Sequence, residues 1–220
     1  MPVFEELNFW LIVFGLFSYV VGSFNTAIFI TKFFCHKDIT KEGSGNPGTT
    51  NVIRVCGLKW GMITLFVDVL KGALATSIAA VFYGYASQIG LVAMLTCGLA
   101  AIIGTMWPWC YKVGGKGIAT LGGIAIFINP LLGLSLLAAI LISFFLVRIM
   151  SIFSLLGTLT WAGVSIWLTI ENGNEFLPII IGLYCVYVIL IFFKFRGNIV
   201  RIFTGKEKRI ELKRDRITNK

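Results

Sequence analysis

The run Gly43-Ser44-Gly45-Asn46-Pro47-Gly48-Thr49-Thr50-Asn51-Val52-Ile53-Arg54 has the composition of an anion cradle. Glycines at 43, 45 and 48 let the backbone turn and leave main-chain N–H groups uncovered. Ser44, Asn46, Thr49, Thr50 and Asn51 add uncharged donors, and Arg54 supplies a planar cation suited to phosphate. The run contains no acid. It is not a Walker A loop, and the same residues also suit an ordinary polar turn between two helices. A second glycine-rich loop, Gly114-Gly115-Lys116-Gly117, places a lysine ahead of an apolar helix, where a helix N-terminus favours an anion. Asp68 and Lys71, three residues apart in an apolar stretch, can pair on one helical face. That pair is at least as well explained by holding helices together as by catalysis.

These polar runs are set in a chain built for lipid. Of 220 residues, 57% are hydrophobic and only 13% are charged, and the mean hydropathy is +0.89. That balance calls for a bilayer as solvent and a single membrane domain. The five cysteines show neither metal-ligand nor paired disulfide spacing, so they are expected to be reduced thiols. No cofactor and no metal site is expected. The N-terminus lacks the basic, short-apolar and cleavage regions of a signal peptide, so the first span is expected to be kept.

Apolar runs cover roughly 7–30, 60–83 and 88–111, then 118–147 with an interruption at Asn129-Pro130, then 149–170 and 176–193. Tryptophans 107, 109, 161 and 167 read as interfacial anchors. Lys and Arg gather at 32–59, 112–116, 148 and 194–220, whereas Glu5, Glu6, Glu171 and Glu175 occupy the other loops. The positive-inside rule then places the N-terminus outside and the C-terminus in the cytoplasm. With Lys116 and Arg148 both inside, the intervening chain forms a hairpin turning at Asn129-Pro130, which gives seven crossings. Its first arm, 118–128, is too short for a full span and is expected to be a short or broken helix. The expected fold is an all-α polytopic membrane bundle of seven helices over 1–193, followed by a basic aqueous tail over 194–220 that includes a last motif.

The motifs resemble, in order and across nearly the whole chain, the PlsY family of bacterial acyl-phosphate:glycerol-3-phosphate acyltransferases. The resemblance is carried by Gly22-Ser23, then Gly43 to Gly48 with Thr50 to Arg54, and Asp68-Val69-Leu70-Lys71-Gly72. It continues through Gly104, Trp107-Pro108 and Gly114 to Thr120, then Arg148, Ser151 and Ser154, and ends with Arg196, Asn198-Ile199, Arg201, Gly205 and Glu207. It implies transfer of a fatty acyl group from acyl phosphate to the C1 hydroxyl of glycerol 3-phosphate, in the cytoplasmic membrane of a bacterium with the site toward the cytoplasm. It further implies that Ser44, Arg54, Lys116 and Asn198 are catalytic. Gly43, Asn46, Gly48, Thr50, Asn51, Gly114, Gly115, Gly117, Ser151, Arg201 and Glu207 would bind substrate. Two anions must be brought together, so cations and N–H donors are needed to offset their repulsion. Acyl phosphate is already activated, and its phosphate can accept the hydroxyl proton, so no Ser/His/Asp arrangement is required.

Two positions depart from the family pattern: Thr105 and Phe195 stand where histidine is usual, and the only histidine is His36. The spacer from Pro108 to Gly114 is one residue short and lacks the usual Phe-Lys. Two other functions use the same cradle: a carrier or flippase for a phosphorylated small molecule or lipid, and a family member that binds without turnover. The tail's Lys206, Lys208, Arg209, Lys213, Arg214 and Arg216 fix cytoplasmic orientation or attract anionic membrane lipids, at ~1 kcal/mol per basic residue. Nucleic acid is excluded as a partner, because the charge belongs to loops on one side of a membrane rather than to a basic soluble face.

Overall fold

A computed structural model describes residues 2–146 and 149–207. Among these residues the secondary structure is entirely helical: α1 (Pro2–Ser23), α2 (Thr26–Phe34), α3 (Thr49–Cys56), α4 (Leu58–Tyr83), α5 (Gln88–Met106), α6 (Ile118–Ile128), α7 (Pro130–Leu146), α8 (Met150–Glu171) and α9 (Leu177–Phe203). Among the described residues, five stretches are long and apolar enough to cross a membrane: Asn8–Phe34, Leu58–Tyr83, Gln88–Met106, Met150–Glu171 and Leu177–Phe203. Ile118–Ile128 and Pro130–Ile142 are shorter apolar helices. Arg148 and the tail from Lys208 onward, both used in the topology expectation, lie outside the described residues.

Local chemistry fixes the boundaries. Ser87 starts α5 by accepting the Gly90 N–H at 2.9 Å, after a turn in which Gly84 takes φ +84°. Asn129 starts α7 in the same way, accepting from Leu132 N at 3.0 Å, with Pro130 as the first helical residue. The expected break at Asn129-Pro130 is therefore a helix end followed directly by a cap. The third span ends at Met106 rather than 111, because the Trp107-Pro108 step leaves the helix. The last helix is longer than its apolar run. It continues unbroken from 193 into the basic segment as far as Phe203, with Phe195 and Asn198 buried.

The first span is two helices rather than one, and Asp68 and Lys71 account for the break. Asn25 caps α2 through Ile28 N (3.0 Å). Lys71 Nζ donates to the Phe24 carbonyl at 2.8 Å and approaches that of Gly22 at 3.5 Å. Thr26 Oγ1 donates to Asp68 Oδ1 at 2.8 Å, and the two charges meet at 2.9 Å. Carbonyls freed by the interruption would be costly in lipid, and the ammonium satisfies them. The intramembrane pair thus holds α4 against the α1–α2 junction.

Glycines set how closely the helices approach. A Cβ on Gly72 would run into the Thr120 backbone and one on Gly123 into that of Val69, so α4 and α6 touch backbone to backbone. Gly22 and Gly104 do the same between α1 and α5, against Ala101 and Tyr19. Several buried hydroxyls bond back along their own helices, as when Thr76 donates to Gly72 O and Thr158 to Ser154 O, each at 2.8 Å. Trp161 is not an interfacial anchor. It is fully buried and packs edge-on against Tyr184 and Tyr187, with centroids 4.8 and 5.2 Å away. Trp107, Trp109 and Trp167 are exposed. The expectation of five reduced cysteines also fails. Cys35, at the end of α2, is bonded to Cys56, at the end of α3, with Cα atoms 6.1 Å apart, while Cys97, Cys110 and Cys185 are free.

Candidate active site

The first glycine loop is organised by one side chain. Asn51, on α3 and 1% exposed, accepts from Ser44 N at 2.9 Å and donates to Glu42 O at 2.9 Å and Ile39 O at 3.3 Å. Its carboxamide is thereby committed to shaping the loop. Gly43, with φ +62°, lies against that carboxamide so closely that a Cβ would strike Asn51 Oδ1. The loop ends at the N-terminus of α3, where Gly48, Thr49 and Thr50 face a cavity and Arg54 follows one turn later.

The second loop closes on the first. Gly115 N donates to Thr105 O at 2.9 Å, and a Cβ on Gly115 would lie only 3.2 Å from Pro47 O. Gly114 presses against the carbonyls of Thr105 and Met106, and Gly117 takes φ +79° as it turns into α6. Only glycine permits both the contact and the left-handed turn. This geometry projects Lys116 across the bundle. Its Nζ donates to Asn198 Oδ1 at 2.5 Å and sits 4.3 Å from the centre of the Phe195 ring.

α8, α9 and the segment after α9 complete the polar end. Asn198 Nδ2 donates to Ser151 Oγ at 2.7 Å and Glu207 Oε1 at 2.6 Å. Ser151 Oγ donates to Glu207 Oε1 at 2.6 Å, and Arg201 Nε donates to Glu207 Oε2 at 2.9 Å. Burial raises the Glu207 carboxyl, but hydrogen bonds from Ser151, Asn198 and Arg201, with the Arg201 charge, outweigh it and hold the group below the usual carboxylate range. Burial pushes the Lys116 ammonium down to about 8; Glu207 opposes that shift, while Arg201 and Arg54 add to it. Arg54, Lys116 and Arg201 therefore share a small volume with one carboxylate, which leaves the pocket positive even when Lys116 is neutral and more so when it is protonated.

All of these groups line one cavity of about 860 Å³. It receives every expected site residue except Gly43, which stands behind the loop: Ser44, Asn46, Gly48, Thr50, Asn51, Arg54, Gly114, Gly115, Lys116, Gly117, Ser151, Asn198, Arg201 and Glu207. Residues not picked out from sequence also line it. Lys194 donates to Met106 O at 2.6 Å and lies over Trp107 at 4.5 Å; it read as the first residue of the basic tail. From the polar end the cavity continues into an apolar arm between α4, α6, α7 and α8, walled by Leu65, Val69, Leu121, Leu137 and Trp161. Apolar lining gives no signal in a chain that is apolar throughout. The two positions lacking histidine are both filled. Thr105 Oγ1 donates to Ala101 O at 3.0 Å and lies 3.3 Å from Thr120 Oγ1, while the Phe195 ring backs Lys116.

A cavity that joins a cationic, donor-rich end to an apolar arm suits a molecule with an anionic head and a hydrocarbon tail. The model of the glycerol-3-phosphate acyltransferase family matches residues 12–205. This chain belongs to that family. A glycerol-3-phosphate acyltransferase of Finegoldia magna is 37% identical over 203 residues, covering 91% of this chain and 96% of the relative. One from Listeria monocytogenes is 34% identical over 202 residues, covering 91% and 97%. The crystal structure of PlsY, an integral membrane glycerol 3-phosphate acyltransferase, in its glycerol 3-phosphate form matches with a TM-score of 0.78 at 30% identity. That match covers 91% of this chain and 96% of PlsY. The lysophosphatidic acid form of PlsY matches with a TM-score of 0.75, also at 30% identity, covering 90% and 94%. Family membership and the all-helical architecture make this a multi-pass integral membrane protein of the acyltransferase class.

Proposed function

We propose that this chain transfers a fatty acyl group from an acyl phosphate to the C1 hydroxyl of glycerol 3-phosphate, with its polar pocket open to the cytoplasm of a bacterial cell. The observation that carries the reading is the convergence of Arg54, Lys116, Asn198 and Arg201 on one cavity whose other arm is apolar. Two donor clusters, one from residues 44–54 and one from Lys116 and Arg201, give two phosphate groups neighbouring places. Held there, each is screened from the other by cations, and the hydroxyl is brought against the acyl carbonyl. The hydroxyl oxygen attacks the carbonyl carbon, the bond from that carbon to the phosphate oxygen breaks, and the proton passes to the departing phosphate. The products are lysophosphatidic acid and inorganic phosphate. Lys116 stabilises charge on the phosphate as it leaves; Asn198 positions Lys116; Asn51 and Glu207 act through the groups they hold.

Orientation follows from the basic residues. Lys37, Lys41, Lys59, Lys112, Lys116 and Arg201 all belong to segments flanking the polar end, and such segments stay inside. The test is phosphate release by purified protein from palmitoyl phosphate with and without glycerol 3-phosphate, with lysophosphatidic acid identified by mass. Acceptor-dependent release that is lost in Lys116→Ala supports the reading. Equal background in both proteins, with Lys116→Ala folded, sinks it.

A further inference from the structure

We propose that the apolar arm measures the acyl chain: Gly122 and Gly157 keep it open, and Trp161 closes its far end. The inference rests on the acyl-transfer reading above and adds a specificity-determining function to three residues. On α8 the cavity is lined by Ser151, Ser154, Gly157, Thr158 and Trp161, one stripe at helical spacing. Ser151 belongs to the polar end. Trp161, ten residues on, lies about 15 Å further along the helix. It is the last α8 residue in the wall, fully buried and backed by two tyrosines.

The glycines separate into two kinds. Gly72 and Gly123 are required by the close approach of α4 and α6, because a side chain would meet the opposing backbone. Gly122 and Gly157 have no such reason: a Cβ at either would meet nothing within 4 Å, and both line this cavity. Their missing side chains are therefore part of the empty space. At the last α8 residue in the wall the small side chains of this stripe give way to the Trp161 indole, which is backed by Tyr184 and Tyr187. With phosphate held at Lys116, a straight chain running beside α8 passes Ser154, then Gly157, and meets Trp161 last. The slot thus ends the apolar contact at a fixed distance from the acyl carbonyl.

Each methylene that gains or loses apolar burial changes transfer by about fourfold, the ratio equivalent to about 0.8 kcal/mol. The experiment presents native protein, Gly157→Leu and Trp161→Ala with octanoyl, dodecanoyl, palmitoyl and arachidoyl phosphates in the same detergent, and reads initial rates with glycerol 3-phosphate saturating. In parallel, thermal stabilisation by lysophosphatidic acids of the same chain lengths reads binding without turnover. The expected result is a palmitoyl-to-octanoyl ratio at least tenfold lower in Gly157→Leu, with octanoyl transfer retained. Trp161→Ala should raise the arachidoyl-to-palmitoyl ratio severalfold. Identical length profiles in native protein and Gly157→Leu overturn the slot while leaving acyl transfer standing. Absence of transfer from every donor sinks the functional reading instead, and the stabilisation series then decides whether chain length is measured. Should Trp161→Ala fail to fold, Gly157→Leu and Gly122→Leu, both built into open space, carry the test.

Discussion

Lys116 Nζ lies 2.5 Å from Asn198 Oδ1, joining a glycine loop to the last helix across 82 residues of sequence. The same carboxamide gives both its N–H bonds away, to Ser151 and Glu207, so its oxygen has one orientation and the ammonium is aimed by it. A flexible lysine becomes a fixed charge because asparagine is held from behind by a serine and a carboxylate. Arg201 secures that carboxylate from the far side.

Removing either partner should therefore damage the same step. Lys116→Ala and Asn198→Ala are each expected to lower kcat/KM for glycerol 3-phosphate by roughly 10- to 100-fold, the equivalent of a charged hydrogen bond worth about 1.5–3 kcal/mol. The double variant should lose little more than the worse single one, since the two act as a unit. A double-mutant cycle on initial rates checks this. Strictly additive losses would show that the bond between them does not matter to turnover.

The depressed Lys116 ammonium makes a pH prediction with a definite sign. Its charged form binds the anion, and that form declines as pH rises through about 8. Acyl transfer should fall on the alkaline side with a midpoint near that value, well before an ordinary lysine would titrate. In Lys116→Arg the alkaline limb should move up by more than a unit, because guanidinium keeps its proton. Rate profiles between pH 6 and 10, corrected for spontaneous donor hydrolysis, make the comparison. An unmoved limb in Lys116→Arg would assign the titration to another group.

Most of the helical architecture was legible because hydropathy and Pro/Gly punctuation are local signals. The short arm 118–128, the turn at Asn129-Pro130 and both glycine loops lie where the sequence puts them. What escaped depends on contacts through space. Nothing local distinguishes Trp161, a core residue, from Trp167, an exposed one on the same helix. The Cys35–Cys56 bond spans 21 residues with no motif to announce it, and the apolar arm is invisible in a chain where nearly every helix is apolar. The α1–α2 break was hidden for a different reason: its compensating charges sit about forty-five residues away, on α4.

That break yields a stability prediction. Lys71→Met leaves Asp68 unpaired beside Thr26 and leaves the Phe24 carbonyl without its donor, a loss of about 3–5 kcal/mol by comparison with other buried pairs. The melting temperature in detergent should fall markedly, with KM for glycerol 3-phosphate in the surviving folded fraction close to native. Lys71→Met combined with Asp68→Leu, which removes both charges, should recover part of the loss. A native melting temperature in Lys71→Met would show that the pair does not brace the junction.

Asn51 and Ser44 offer the sharpest separation of shaping from binding in the first loop. Asn51→Ala removes three loop bonds at once and frees the 42–44 segment, which should raise KM for glycerol 3-phosphate and increase proteolysis within residues 39–48. Asn51→Asp keeps the acceptor for Ser44 N but loses both donations, so it should repair only part of the damage. Ser44→Ala removes a hydroxyl that faces the cavity while its backbone N–H still bonds to Asn51. Its loop should therefore stay protease-resistant while turnover drops by at least tenfold. Limited proteolysis beside rate measurements on the three variants distinguishes the roles, and equal protease sensitivity in Ser44→Ala and Asn51→Ala would mean that the loop is not organised by the carboxamide.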